Sequence, residues 1–287
     1  MRINDFDVYA ALLKEKSGLT LTPDKSYLIE SRLTPVSKEW GFESLEAMTV
    51  ALNGVPDPGL VKDVVEAMTT NETSFFRDNR PFDTFKATIL PFMKEARATQ
   101  KSLRIWCAAC SSGQEPYSLA MLLEDMKAEM PGWNYEIVAT DIDHKIIEHA
   151  KRAEYTQFEV QRGLPIQMLM NYFEQDGQTW RLKDIIKNKI QFKYFNLLDS
   201  MSSIGQFDII FCRNVLIYFD VDTKRATLDK LLGQIASDGF LFLGGAETVM
   251  GITKSFIAAP DLRGVYVPEA HPFLASVEDS ATKTIAG

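Results

Sequence analysis

The chain has 287 residues, 46% of them hydrophobic, and a formal net charge of −8. It contains no apolar stretch near the roughly 20 residues that span a bilayer, and its start does not have the pattern of a secretory signal. The acidic balance disfavours nucleic acid as a partner, because affinity for phosphates rests largely on Lys and Arg. Three cysteines argue against a disulfide framework. We therefore expect a cytoplasmic globular protein that does not insert into membranes.

Helical periodicity dominates residues 1–70. Thr22 and Pro23 stand in the order of cap and first-turn proline that starts a helix. Pro35 should kink or end that helix, because proline cannot donate the backbone hydrogen bond. We predict that this region is an all-α N-terminal domain with no evident chemistry of its own.

Strands alternate with helices in the following region, 71–268. Apolar strands are predicted at 103–107, 135–140, 190–195, 207–212 and 240–243. This alternation predicts a parallel sheet with helices on both faces, which binds ligands at the carboxyl ends of its strands. The rhythm breaks at about 162–189, where Asp176-Gly177 has the composition of a hairpin turn, so we expect an inserted subdomain. The polar segment 269–287 is expected to be a loosely held tail.

The loop after the first predicted strand, 108–116, consists largely of small residues. Small side chains let the backbone approach a ligand, and Pro116 suits the first turn of a helix. A dinucleotide site needs three spaced glycines to hold a pyrophosphate, but only Gly113 is present. The loop therefore suits a ligand without phosphates, with Glu115 placed to meet a cation. The alternative is an ordinary strand-to-helix turn.

Asp141 ends the second predicted strand, where an acid in nucleotide-binding α/β folds accepts the hydroxyls of a ribose. The alternative is that it caps the next helix, but Asp143 is the better cap and leaves Asp141 for a ligand. One carboxylate for a ribose, a second for an amino group and no phosphate cradle together suggest S-adenosyl-L-methionine.

Four segments of the chain resemble the CheR family of chemotaxis receptor methyltransferases. They are MTTNETSFFR (68–77), the loop 106–118, TDID (140–143) and FCRNVLIYF (211–219), and they follow the family's order. The resemblance implies an α/β fold: a class I (Rossmann-like) S-adenosyl-L-methionine methyltransferase domain with a small inserted β-subdomain, preceded by an all-α N-terminal domain. It also implies a cofactor site lined by Asn71, Thr73, Arg77, Glu115, Asp141, Asn196, Leu197, Arg213 and Asn214.

The same resemblance implies the reaction. Methyl groups would pass from S-adenosyl-L-methionine to glutamate side chains in the cytoplasmic helical domain of chemoreceptors, giving methyl esters and S-adenosyl-L-homocysteine. A glutamate carboxylate, with a pKa of about 4.3, is already ionised at neutral pH, so alignment matters more than a general base. We expect no metal, no nucleic acid, and a monomer that visits membrane receptor arrays transiently.

Arg77 and Tyr218 are the candidates for the reacting centre. Arg77 offers a planar fork for a carboxylate, either of the cofactor's methionine or of the substrate, and the Tyr218 hydroxyl would orient the acceptor. The alternatives are a solvated surface arginine and a core tyrosine. The segment 213–216 reads RNVL and lacks the Asn/Asp-Pro-Pro-aromatic sequence of many amine methyltransferases, which disfavours N-methylation of bases.

Two features depart from the family. Members that tether to a receptor's C-terminal pentapeptide have a longer, glycine-containing loop in the β-subdomain, whereas residues 173–180 are short and hold one glycine. We therefore predict no such tether. Members can also carry several arginines on the second helix, where this chain has Lys25, Arg32 and Lys38 interleaved with glutamates. Docking to the receptor through this helix is one hypothesis, and a solvated helix surface is the other.

Other functions remain as alternatives. The string WCAAC (106–110) mimics the Trp-Cys-x-x-Cys of thiol oxidoreductases, but Cys107 is predicted inside a strand and not at a helix N-terminus, where a thiol pKa falls. Two further alternatives are a cofactor-binding regulatory protein without transferase activity and a methyltransferase for another protein or a small carboxylic acid.

Overall fold

The computed structural model describes residues 3–275, apart from the side chains of residues 3 and 4. The first part is a helical domain with a buried apolar core of its own. Its helices are α1 (Ile3–Ser17), α2 (Ser26–Glu39), α3 (Leu45–Asn53) and α4 (Pro58–Met68). Pro35 is predicted to kink or end α2, and the helix does not end there but runs on to Glu39. Leu33 and Val36 are buried on either side of Pro35, and this packing carries the helix past the missing hydrogen bond.

The rest of the described chain alternates between helices and strands. Its helices are α5 (Arg80–Thr84), α6 (Leu90–Ala96), α7 (Gln114–Asp125), α8 (His144–Arg152), α9 (Gln157–Gln161), α10 (Ile166–Tyr172), α11 (Asp184–Lys187) and α12 (Val221–Leu232). A π-helical turn, Phe85–Ile89, joins α5 to α6. The strands are β1 (Ser102–Ala108), β2 (Asn134–Asp141), β3 (Glu154–Thr156), β4 (Phe173–Asp176), β5 (Thr179–Leu182), β6 (Ile190–Tyr194), β7 (Phe207–Cys212), β8 (Ile235–Leu243), β9 (Phe256–Ala258) and β10 (Val265–Pro268).

Seven of these strands form the main sheet, in the order β6-β2-β1-β7-β8-β10-β9. The strands from β6 to β8 are parallel, and β10 and β9 add an antiparallel edge. Ala108 lies beside Thr140 on one side and Cys212 on the other, so the carboxyl ends of β1, β2 and β7 meet at one edge. The chain crosses to opposite sides of β1, which makes this the switch point where α/β sheets bind ligands. The predicted α/β fold is confirmed.

Both faces of the main sheet are buried, which explains why its central strands read as nearly continuous apolar runs. Ile105 and Ile209 belong to the core on one face, whereas Trp106 and Ile210 belong to the core on the other. Among residues 3–275, no helix is both long and apolar enough to cross a membrane.

A second, three-stranded antiparallel sheet has the order β3-β5-β4. It includes β3, so this subdomain takes in residues that precede the predicted insertion at 162–189. Asp176 pairs with Thr179, so the hairpin turn consists of Gly177 and Gln178 and lies one residue later than predicted. The subdomain packs closely on the chain that leads into the main sheet, since a Cβ atom on Gly163 would lie 2.2 Å from the carbonyl oxygen of Phe75.

The described part of the predicted tail packs against the main sheet. His271 and Phe273 are buried, and both rings contact Phe240 at centroid distances of 4.7 and 5.6 Å. These aromatic contacts fix the chain just beyond β10. Residues 276–287, the remainder of the predicted tail, lie outside the described residues.

Candidate functional site

A cleft opens at the carboxyl ends of the parallel strands of the main sheet. It encloses about 990 Å³, including its open mouth, which suits a ligand of drug or cofactor size. Every residue predicted for the site lines this cleft: Asn71, Thr73, Arg77, Glu115, Asp141, Asn196, Leu197, Arg213, Asn214 and Tyr218. The structure therefore brings together the chain after α4, the ends of β2, β6 and β7, and the start of α7.

The loop between β1 and α7 has an unusual backbone. Ala109, Ser111 and Gly113 all have positive φ, at 56°, 51° and 91°. Positive φ is strained for residues that have a side chain, and residues with such strain are frequent at ligand-binding sites. The loop is held by its neighbours, because the Ser111 hydroxyl donates to the carbonyl of Asn71 at 2.7 Å. A Cβ atom on Gly113 would lie 3.1 Å from Ala150, so the small residue is needed here.

Asp141 lies at the end of β2 and is 6% exposed. Its carboxylate accepts hydrogen bonds from the backbone N–H of Ser111 at 2.8 Å and of Asp143 at 3.1 Å. Burial outweighs these bonds and raises the pKa of Asp141 to about 6. Asp143 caps α8 by accepting from Ile146 N at 3.0 Å, as predicted. A buried carboxylate of perturbed pKa in a cleft marks a candidate binding group.

Glu115 lies in the first turn of α7, where its carboxylate pairs with the guanidinium of Arg213. Its Oε2 accepts a hydrogen bond from Arg213 Nη1 at 2.8 Å, and Arg213 Nη2 also reaches Asp78 at 2.7 Å. The Arg213 side chain is 1% exposed, and its Nε has no partner among the described residues. Burial raises the pKa of Glu115 above its usual value, although Arg213 opposes the shift. The two residues form a buried charge pair at the floor of the cleft.

The connector between α4 and α5 forms one side of the cleft. Asn71 Nδ2 donates to Asp143 at 2.8 Å, which ties the connector to the β2 end of the sheet. Arg77 is half-buried, and its Nη1 donates to the carbonyl of Glu72 at 2.8 Å. Thr73 lines the cleft between them. Arg77 is therefore neither a fully solvated arginine nor part of the core.

The opposite side of the cleft comes from the ends of β6 and β7. Asn196 Oδ1 accepts from Leu198 N at 3.0 Å and so shapes the turn after β6, while Leu197 is buried. Asn214 has a φ of 59°, a left-handed conformation that asparagine adopts more readily than most residues. Tyr218 is half-buried at the end of the same loop and faces the cleft, so it is not a core tyrosine.

The helical domain forms a wall of the cleft that the sequence analysis missed. Ser17, Leu19 and Val65 line the cleft together with the residues named above. The backbone N–H of Thr20 donates to the Tyr218 carbonyl at 2.8 Å, which holds this wall against the loop after β7. The apolar periodicity of α1 and α4 shows which face of each helix is buried. It does not show which part of the protein the ends of these helices contact. No signal in the sequence identified these residues.

The contacts between the helical domain and the sheet domain continue beside the cleft. Glu66 on α4 accepts from the ring Nδ1 and the backbone N of His144, at 2.8 and 3.0 Å. Arg32 on α2 donates to the carbonyls of Met68 and Thr69, at 2.9 and 2.7 Å. Arg32 thus holds the start of the connector.

The cysteines do not resemble a redox site. Cys107 lies within β1, and Cys107, Cys110 and Cys212 are all buried. Burial raises the pKa of each thiol well above its usual value, which is the opposite of what a reactive thiolate needs. Among residues 3–275, no group of three or more His, Cys, Asp or Glu side chains has the arrangement of a metal site.

The fold and the cleft together define an α/β protein with a ligand site at the carboxyl ends of its strands, of the kind that holds a nucleoside-containing cofactor. Residues 71–264 match the family described as "CheR methyltransferase, SAM binding domain". The chain belongs to this family and is an S-adenosyl-L-methionine-dependent methyltransferase. This confirms the resemblance found in the sequence.

Full-length relatives support the assignment. The chain is 41% identical over 256 residues to "Chemotaxis protein methyltransferase 1" of Pseudomonas aeruginosa, covering 88% of this chain and 93% of the relative. It is 39% identical, with the same coverage, to "Chemotaxis protein methyltransferase Cher2" of Pseudomonas putida. It is 31% identical over 252 residues to "Chemotaxis protein methyltransferase" of Salmonella typhimurium, covering 85% of this chain and 84% of that relative. Coverage of 85–88% of the chain means that each match includes at least part of the helical domain.

Proposed function

We propose that this methyltransferase esterifies glutamate side chains in the cytoplasmic helical domain of chemoreceptors. The names of its relatives support a role in chemotaxis. The observation that carries the proposal is the composition of the cleft, in which buried acidic groups lie at the strand ends and Arg77 lies at the connector. Such a cleft suits a cationic, ribose-containing donor on one side and an anionic acceptor on the other.

The acidic residues of the cleft fit S-adenosyl-L-methionine, which supplies an electrophilic methyl group on a sulfonium when bound. Asp141 is assigned the ribose hydroxyls, because its carboxylate ends β2 and is fixed by two backbone N–H groups. Glu115 is assigned the amino group of the methionine moiety, and Arg213 holds Glu115 in place. Asn196 and Leu197 lie after β6, where the adenine is expected. Asn71, Thr73 and Asn214 complete the lining.

Arg77 and Tyr218 are assigned to the reacting centre. Among residues 3–275, the Arg77 guanidinium has one hydrogen bond, to the Glu72 carbonyl, so its remaining N–H groups can turn to a carboxylate. The Tyr218 hydroxyl can donate to the second oxygen of an acceptor carboxylate. No proton needs to be removed from an ionised glutamate, so these residues align the oxygen and exclude water.

A labelling experiment tests the proposed reaction. The protein is incubated with methyl-labelled S-adenosyl-L-methionine and cytoplasmic receptor fragments, and the labelled product is treated with alkali. Base-labile label on glutamate is the expected result. Alkali-stable label would indicate N-methylation, and binding of the donor without any label would favour a regulatory protein. A receptor fragment with its glutamates replaced by alanine is the matched control.

We propose that the enzyme works without a C-terminal receptor tether. The support is the turn between β4 and β5, which consists of only Gly177 and Gln178 and offers little loop to hold a peptide. Calorimetry with a receptor tail peptide tests this, and micromolar binding would contradict it. The monomeric state, the cytoplasmic location and the lack of a metal remain predictions.

Docking of the receptor on α2 remains a second proposal, in which the exposed Lys25 and Lys38 carry the basic surface. Arg32 is a weaker candidate for that surface, because its guanidinium bonds to the connector carbonyls. The double variant Lys25→Glu with Lys38→Glu should raise the KM for the receptor without changing donor affinity. An unchanged KM would favour a solvated helix surface.

A further inference from the structure

The Glu247 carboxylate accepts four hydrogen bonds beside the cleft, although Glu247 belongs to none of the motifs found in the sequence. It lies in the turn after β8 and is 9% exposed. Its Oε2 accepts from the backbone N of Gly244 at 2.6 Å and of Asn214 at 2.8 Å. Its Oε1 accepts from the backbone N of Val215 at 3.0 Å and of Ile217 at 3.2 Å. One side chain therefore satisfies four backbone donors from two different loops.

We infer that Glu247 is a positioning residue for methyl transfer, an inference that rests on the proposed function. The loop it holds contains Asn214, Val215 and Tyr218, which line the cleft. Glu247 is not among the described residues that line the cleft, so it acts through the loop backbone. Without this acceptor, one buried and three partly buried N–H groups would lose their partner and the loop would lose this conformation.

Two details indicate that the loop has little intrinsic preference for its shape. Asn214 has a φ of 59°, a conformation that costs free energy and persists only where the surroundings enforce it. Gly244 leaves no space for a side chain, because a Cβ atom there would lie 2.8 Å from both Asn214 Nδ2 and Glu247 Oε2. The carboxylate, the glycine and the left-handed asparagine are thus parts of one arrangement.

The variant Glu247→Gln tests this arrangement because it keeps the shape of the side chain. Whichever carboxylate oxygen becomes the amide NH₂, two backbone N–H groups lose their acceptor and face a donor instead. Gly244→Ala disturbs the same contacts while keeping the carboxylate. Displacing reacting groups by about 1 Å can lower a rate by about 10²-fold, so we expect a loss of turnover of that order in both variants.

The matched control is Asp208→Asn. Asp208 is also a carboxylate with little exposure, accepting from Arg104 N at 2.7 Å and from Arg97 Nη2 at 2.8 Å. It lies at the start of β7, the end of the sheet away from the cleft. This variant should lose stability but keep turnover when all proteins are assayed below their melting temperatures.

The readouts are turnover, the Kd for S-adenosyl-L-homocysteine, and amide hydrogen exchange of residues 213–219. Support requires faster exchange in this segment, a weaker Kd and lower turnover in Glu247→Gln and Gly244→Ala but not in Asp208→Asn. Unchanged exchange in the segment, or turnover equal to that of the control, would overturn the inference. If the wild-type protein bound no donor, the proposed function would fail, whereas hydrogen exchange would still decide whether Glu247 holds the loop.

Discussion

If Asp141 holds the ribose of the donor as proposed, its raised pKa should make donor affinity depend on pH. Burial shifts this pKa from 3.8 to about 6. An acid whose pKa is raised on folding favours the folded state at low pH, and this contribution is lost as the pH rises through about 6. Binding has the opposite dependence, because accepting both ribose hydroxyls requires the ionised carboxylate. Affinity should therefore rise with pH and level off above about 7.

The size of the effect follows from the ionised fraction. With a pKa of about 6, the carboxylate is about 90% ionised at pH 7 and about 10% ionised at pH 5. The Kd for S-adenosyl-L-homocysteine should therefore weaken about tenfold between pH 7 and pH 5 if Asp141 alone titrates. Burial also raises the pKa of Glu115, so protonation of Glu115 would add to this loss.

Calorimetry at a series of pH values measures this dependence, with thermal melts to show that the protein stays folded. Asp141→Asn should bind weakly throughout and lose the part of the pH dependence that Asp141 causes. Glu72→Gln is the matched control. Glu72 also lines the cleft, but the hydrogen bond from Arg162 lowers its pKa, so it stays ionised over this range. Affinity that does not change between pH 5 and pH 7, or full pH dependence in Asp141→Asn, would refute the assignment.

Substitutions at three further positions test the site and its support. Arg77→Ala should abolish transfer with little change in melting temperature, and Arg77→Lys should restore only a small part because the planar fork is lost; near-normal turnover would refute the role. Gly18→Ala should weaken the product Kd several-fold by calorimetry, because its Cβ would lie 2.9 Å from Phe219 at a φ of +76°, between residues that line the cleft. Gly163→Ala should destabilise the protein by at least ~1–3 kcal/mol in denaturant unfolding, because the added Cβ would lie 2.2 Å from the Phe75 carbonyl oxygen. An unchanged unfolding midpoint would show that this contact relaxes freely.

The central strands were predictable because both faces of the sheet are buried, which gives β1 and β7 short apolar runs bounded by polar residues. The edge strands β9 and β10 were not predicted. They are short, antiparallel, and interrupted by turns, so they leave no pattern longer than a few residues. The continuation of α2 past Pro35 also could not be predicted, because it depends on tertiary packing that the local sequence does not show.

The candidate site was predictable for the residues at strand ends, since topology alone brings those ends together. Asp141 ends the apolar strand β2, and Glu115 lies in the first turn of the helix that follows β1 and its loop. Two parts of the site were hidden for different reasons. Glu247 acts on backbone N–H groups, which have no sequence signature of their own. Ser17 and Leu19 reach the cleft only through domain docking, which periodicity within a helix does not specify.

Under the proposed function, that docking gives the helical domain a role in donor binding, because Ser17, Leu19 and Val65 line the cleft. The bond from Thr20 N to the Tyr218 carbonyl and the ion pair of Lys14 with Asp220 join the domains on one side of the cleft. A solvent-exposed ion pair of this kind contributes little, so the docking is held mainly by packing and by hydrogen bonds between the domains. A ligand that touches both domains must strengthen their association, and by linkage any change that loosens the association must weaken the ligand. Substitutions in this interface, even far from the reacting atoms, should therefore weaken the affinity for the donor more than the affinity for the acceptor.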